Sequence, residues 1–75
     1  SIRRGAYLIV SANDYCKNAT LWLIVAVHEH SVTAYHVAPD CEVSRELHEF
    51  LIDDHDVRIA TDDEVKAIDR LWGAR

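Results

Sequence analysis

The residues best suited to chemistry are the histidines and the two cysteines. His28 and His30 are two positions apart, so on a strand both imidazoles would point to one face, as a metal site requires. His36 is a candidate third ligand if the hairpin turn has three residues, because it then lies on the same face as His28; a two-residue turn places it on the opposite face. Cys41 is a candidate fourth ligand. The close pairing of ligands typical of structural zinc sites is absent. The sequence therefore favours histidines at a solvated turn, and we predict neither a metal nor another cofactor.

Nucleophilic catalysis is also disfavoured. Cys16 and Cys41 have no nucleophile-elbow glycine pattern and no spaced partners around them, and 75 residues leave little volume for a pocket that excludes water. The acidic run at 53–56 lacks the glycine and the ligand order of a calcium loop. Two cysteines are too few for a secreted disulfide framework, so we expect reduced thiols and a cytoplasmic protein. Because no catalytic motif is present, we also expect that the protein is not an enzyme.

Three β-branched and aromatic segments predict strands at residues 6–12, 20–28 and 32–37, of which the second and third form a hairpin. Residues 57–59 alternate and suggest a further short strand. The longest apolar run is too short for a membrane helix.

Two segments have helical periodicity. The first would begin at Asp40 or Ser44, and its apolar stripe consists of Val43, Leu47, Phe50 and Leu51. The second, residues 62–72, follows a capping box in which Thr61 is the cap and Glu64 reaches back to it, and Gly73 would end it. The sequence thus predicts one α+β domain over residues 1–75. It would be a small two-layer structure, an antiparallel sheet of three to four strands with two helices in the order β-β-β-α-(β)-α.

Seven consecutive apolar residues, 21–27, raise the question of what covers both faces of the sheet. Two helices can cover one face of so small a sheet, and an uncovered apolar face usually marks an interface. Three alternatives need no partner. The two helices could lie on opposite faces and bury the second strand completely, the sheet could curl into a small barrel whose interior encloses one face, or single aromatic residues could simply be exposed. We predict that a partner binds through this apolar sheet face or through an exposed strand edge, together with a basic amino-terminal tip. The predicted partner-binding residues are Arg3, Arg4, Tyr7, Ile9, Trp22 and Ile24.

Charge is unevenly distributed along the chain. The formal net charge is −5, and all but two of the 13 acidic residues lie in residues 39–75. Such a field repels phosphate backbones and favours basic protein surfaces, which argues against direct nucleic-acid binding.

In its size, its acidity and its lack of active-site motifs, the chain resembles the small regulators that bacteriophages direct against host machinery, among them inhibitors of bacterial RNA polymerase. This resemblance implies a cytoplasmic inhibitor, acting in the host cell, that binds a large protein assembly and affects transcription. The alternatives are an acidic nucleic-acid mimic that blocks a DNA-binding protein, and a homodimeric structural or metal-binding module.

Overall fold

The computed structural model describes residues 2–14, 17–38 and 47–72. These form five strands and one helix: β1 (Tyr7–Val10), β2 (Thr20–Val27), β3 (Ser31–Ala38), β4 (Leu47–Leu51), β5 (Val57–Ile59) and α1 (Asp62–Trp72). All neighbouring strands are antiparallel, and their order in the sheet is β4-β3-β2-β1-β5. No described helix is both long and apolar enough to span a membrane.

The predicted two-helix α+β class is wrong. The structure is a curled antiparallel half-barrel with a single described helix. The first predicted helix fails because Leu47–Leu51 is strand β4. Its five side chains alternate between exposed and half-buried, which is the period of a strand. The predicted caps Asp40 and Ser44, the residues Val43, Cys16 and Cys41, and Gly73 lie outside the described residues.

The other local predictions are confirmed. The first three strands, the β2–β3 hairpin, the short strand at 57–59 and the helix at 62–72 all occur close to the predicted bounds. The capping box also forms, since the Glu64 N–H donates to Thr61 Oγ1 (3.1 Å) and the Thr61 N–H donates to Glu64 Oε1 (3.0 Å). Helix α1 therefore begins where local hydrogen bonding alone requires it to begin.

The curl of the sheet follows from a short connection. Strands β4 and β5 form opposite edges of the sheet, yet only residues 52–56 join them. Four strand spacings of a flat sheet would separate these edges by about 19 Å. A fully extended link of this length reaches only about 20 Å, and this one turns twice, through Asp54 N–H to Leu51 O (3.3 Å) and Val57 N–H to Asp54 O (3.1 Å). The sheet must therefore bend until its edges approach each other.

Bending gives the sheet a concave inner face that the strands of the sheet can themselves enclose. Phe50 of β4 and Val57 and Ile59 of β5 pack against a single cluster of buried side chains on this face. The cluster consists of Leu8, Val10, Trp22, Ile24, Val32 and Ala34. Among the described side chains, the inner face of β2 is thus covered by other strands of the same sheet.

Candidate functional site

The residues predicted to share one binding face lie on two different faces. Trp22 pairs with Leu8, whereas Tyr7 pairs with Leu23 and Ile9 pairs with Leu21. Cross-strand partners point to the same side of a sheet, so Tyr7 and Ile9 occupy the outer face while Trp22 and Ile24 occupy the inner face. The one-residue offset between the two strands could not be read from the sequence.

Burial further separates these residues. Trp22 is 2% exposed and Ile24 is 1% exposed, so neither offers a surface to a partner in this conformation. Ile9 is also buried, and Tyr7 is half-buried. Arg3 and Arg4 are exposed, and a binding role for them stays a prediction.

Trp22 instead centres an aromatic cluster in the interior. Its ring lies 4.8 Å from His36, 5.3 Å from His48 and 4.8 Å from Phe50, measured between centroids. Its indole N–H donates to Thr20 Oγ1 at 2.8 Å. The His48 Nε2 atom is buried and has no hydrogen-bond partner within the described part of the chain. The cluster is packing rather than a binding surface.

The histidines considered as metal ligands do not converge. His36 lies in the core opposite Trp22. His28 contacts Thr33 Oγ1 (2.9 Å) and His30 lies 3.7 Å from Glu29, both at the exposed β2–β3 turn.

Among the described residues, the potential metal-ligating group is the exposed run 54–56, whose ligand atoms lie within 4.8 Å of one another. Its contacts are internal, with Asp54 Oδ1 accepting the Asp56 N–H (2.9 Å) and His55 near Asp56 (3.5 Å). Such contacts form a turn between strands and need no ion.

Arg3 and Arg4 occupy a fixed turn at the amino-terminal tip. The Ala6 N–H donates to Arg3 O (3.1 Å), and the Gly5 N–H donates to Ile24 O (2.8 Å), which attaches the turn to β2. Gly5 has φ of 92°, a conformation that glycine adopts at little cost. Arg3 also lines a cleft of about 460 Å³ between the tip and α1, together with Tyr7 and Lys66.

The most exposed of the described large apolar side chains lie elsewhere, on the outer face beside β4. Tyr35 is 47% exposed, Leu47 is 54% exposed and Leu51 is 58% exposed. Tyr35 is directly opposite Leu47, and Leu51 is on the same side of β4 because it is four residues further along the strand. We call these three residues the β4 patch. Sequence reasoning missed Leu47 and Leu51 because it assigned both to the apolar stripe of a helix.

The β4 patch continues across the sheet as a row of cross-strand partners. Tyr7 is opposite Leu23, Leu23 is opposite Tyr35, and Tyr35 is opposite Leu47. The first two residues of the row are half-buried and the last two are exposed. The apolar outer face thus becomes increasingly accessible toward the β4 edge.

The backbone of β4 adds hydrogen-bonding groups at this edge. The Ile52 N–H donates to His30 O (3.0 Å), one residue beyond the Leu51–Ser31 pair. Because hydrogen bonds of an antiparallel strand alternate between its two sides, His48 and Phe50 bond to β3, while Leu47, Glu49 and Leu51 face away from it. Of the outward groups, the Leu51 C=O already accepts the Asp54 N–H (3.3 Å). Within the described ranges, no strand pairs with this side of β4.

Glu49 lies at the centre of the exposed edge. It is on the outer face between Leu47 and Leu51, and the buried Ser31 hydroxyl donates to its Oε2 atom at 2.5 Å. This bond orients the carboxylate, and the Glu49 side chain is exposed. The site is therefore an edge strand with an apolar, acidic, apolar side-chain order.

No family model, curated protein or solved structure matches this chain. Function is accordingly inferred from geometry and charge.

Proposed function

We propose that this protein is a non-enzymatic binding module that attaches to a larger protein through edge strand β4 and the β4 patch. The observation that supports this most strongly is the coincidence of two exposed leucines with a strand that, among residues 2–14, 17–38 and 47–72, pairs on one side only. Edge strands with outward N–H and C=O groups accept an extended segment of another chain, and flanking apolar side chains add specificity.

The energetics favour an interface at this position. Leu47 and Leu51 are each exposed by somewhat more than half, so complete burial of either side chain would contribute about 1 kcal/mol. Backbone hydrogen bonds of an added strand would contribute about 0.5–1.5 kcal/mol each. Together these contributions can offset the association cost of a modest interface.

Bacterial RNA polymerase is the first partner to test, because the resemblance to phage regulators of host machinery points to it. A regulatory role would follow if the module occupied a surface that the polymerase needs for assembly, σ binding or elongation. The net charge of −5 suits a basic surface on such a partner.

The experiment measures binding of the immobilised protein to purified polymerase by biolayer interferometry. Leu47→Lys and Leu51→Lys should each weaken binding at least tenfold, because an ammonium would replace a buried apolar contact. Val27→Lys is the matched control, since Val27 is 44% exposed and lies on β2, two strands from β4. It should change affinity less than twofold. Equal binding by all three variants would reject the β4 site, and no binding by the unmodified protein would reject polymerase as the partner.

A further inference from the structure

We infer that the occupant of the β4 edge is an extended segment of a different protein, with a basic residue between two apolar residues in the pattern apolar-x-basic-x-apolar. This inference rests on the proposed function and specifies the partner chemistry of the same site. It is carried by the side-chain order of β4 and by the position of the Glu49 carboxylate.

Strand addition fixes which partner side chains meet the outer face. Leu47, Glu49 and Leu51 face outward, so an added antiparallel strand would place three of its residues directly opposite them. Its hydrogen bonds would go to the backbone groups of Leu47 and Glu49 and to the Leu51 N–H, because the Leu51 C=O already accepts the Asp54 N–H. Those three residues alternate along the added strand, and their side chains lie on the same side as the β4 patch. Residues facing Leu47 and Leu51 gain by being apolar, and the residue facing Glu49 gains by being basic. The pattern is symmetrical and therefore reads the same in either strand direction.

The same geometry argues against a second copy of this chain. Antiparallel pairing of two β4 strands about Glu49 would place Leu47 of each copy opposite Leu51 of the other. It would also place the two Glu49 carboxylates opposite each other, and like charges in directly opposed positions are unfavourable. Each carboxylate is oriented by its own Ser31 hydroxyl, which limits its ability to turn away. Charge complementarity thus selects a basic partner segment.

The test uses nuclear magnetic resonance titration of the isotopically labelled protein with blocked seven-residue peptides. The first peptide is Thr-Val-Thr-Lys-Thr-Val-Thr, and two others replace the central Lys with Gln or with Glu. The Lys peptide should bind about two- to fivefold more tightly than the Gln peptide, and the Glu peptide should bind most weakly. Shifted amide signals should be confined to β4 and its neighbours on β3.

Variants separate a specific contact from general attraction to an acidic protein. Glu49→Gln keeps an acceptor for the Ser31 hydroxyl and removes the charge, so the preference for Lys over Gln should disappear. Asp14→Asn is the matched control, because Asp14 is exposed and follows β1, on the other side of β2 and β3 from β4. It removes the same charge and should leave the preference intact.

Equal affinity for the three peptides, with shifts still at β4, would overturn the basic pattern while leaving strand addition supported. A Lys preference that persists in Glu49→Gln would also overturn it. Sedimentation showing a dimer whose formation masks the β4 amides would identify a second copy as the occupant and contradict the inference. Absence of peptide binding at millimolar concentration would reject strand addition, and with it the proposed function.

Discussion

Trp22 and His36 lie opposite each other on β2 and β3, and their ring centroids are 4.8 Å apart. The pair occupies the inner face, where Trp22 is 2% exposed and His36 is 4% exposed. An aromatic residue that resembles an interface anchor in the sequence is therefore the centre of the hydrophobic core. The distinction has direct consequences for mutagenesis.

Trp22→Ala should destabilise the fold by about 3–5 kcal/mol, because it removes a large buried side chain and leaves a cavity. That cost is a large part of the stability of a small domain. Trp22→Phe should cost about 1–3 kcal/mol, since it keeps a ring but removes the indole N–H that donates to Thr20. Urea unfolding followed by circular dichroism measures both, with Val27→Ala as an exposed control below about 1 kcal/mol. A Trp22→Ala variant as stable as the control would contradict the core assignment.

Glu64 should make stability depend on pH. The Arg58 guanidinium donates to both Glu64 carboxylate oxygens, and this pairing together with the Thr61 N–H lowers the pKa of Glu64 from 4.5 to about 2. Because the unfolded chain takes up this proton first, the carboxylate stabilises the fold above about pH 4.5. That contribution is lost as the pH falls through the range from 4.5 to 2.

Glu64→Gln should therefore be less stable than the unmodified protein at pH 7, and the difference between them should shrink as the pH falls below 4.5. Urea unfolding at a series of pH values measures this difference. Asp63→Asn, an exposed change in the same helical turn, controls for the helix dipole. A difference between Glu64→Gln and the unmodified protein that is constant with pH would show that the Arg58–Glu64 pair contributes nothing.

Gly5→Ala should destabilise the protein by about 1–2 kcal/mol through the backbone alone. Gly5 has a positive φ of 92°, and a Cβ atom added there would meet nothing within 4 Å. Gly5→Asn should cost less, because asparagine tolerates positive φ better than alanine. Thermal unfolding of both variants provides the measurement. If the Gly5→Ala variant is as stable as the unmodified protein, the tip does not hold this conformation in solution.

Amide hydrogen exchange should alternate along β4. The Leu47, Glu49 and Leu51 amides should exchange quickly because they point outward, and the His48 and Phe50 amides should exchange slowly because they bond to β3. Proton exchange resolved by nuclear magnetic resonance reads each amide separately. Slow exchange at all five positions would indicate that another segment already occupies the edge.

Leu51→Pro tests whether the backbone of the β4 edge takes part in partner binding. Proline removes an N–H that does not bond to β3, so an edge strand tolerates it, but its ring would block an incoming strand. Leu51→Ala is the matched control that shortens the side chain and keeps the N–H. Partner binding should fall at least fivefold further in Leu51→Pro than in Leu51→Ala. Equal losses would assign the effect to the side chain alone.

The sequence by itself determined the elements whose signals are local. Thr61 and Glu64 fixed the start of α1 because the hydrogen bonds of a capping box join residues three positions apart. The strands β1, β2 and β3 were likewise readable from β-branched and aromatic runs between polar turns. These features need no information from distant parts of the chain.

Only the tertiary structure decided that Leu47–Leu51 is a strand and not part of a helix, and this also decided where the exposed apolar side chains lie. Five residues fit the apolar spacing of a helix as well as that of an edge strand, and the edge of β3 selects the strand by pairing with it. The pairing directs Phe50 and His48 toward Trp22 and leaves Leu47 and Leu51 outside. Strand register and sheet curl depend on contacts between residues far apart in the chain. Local periodicity therefore could not show that Trp22 is core and that Leu47 is surface.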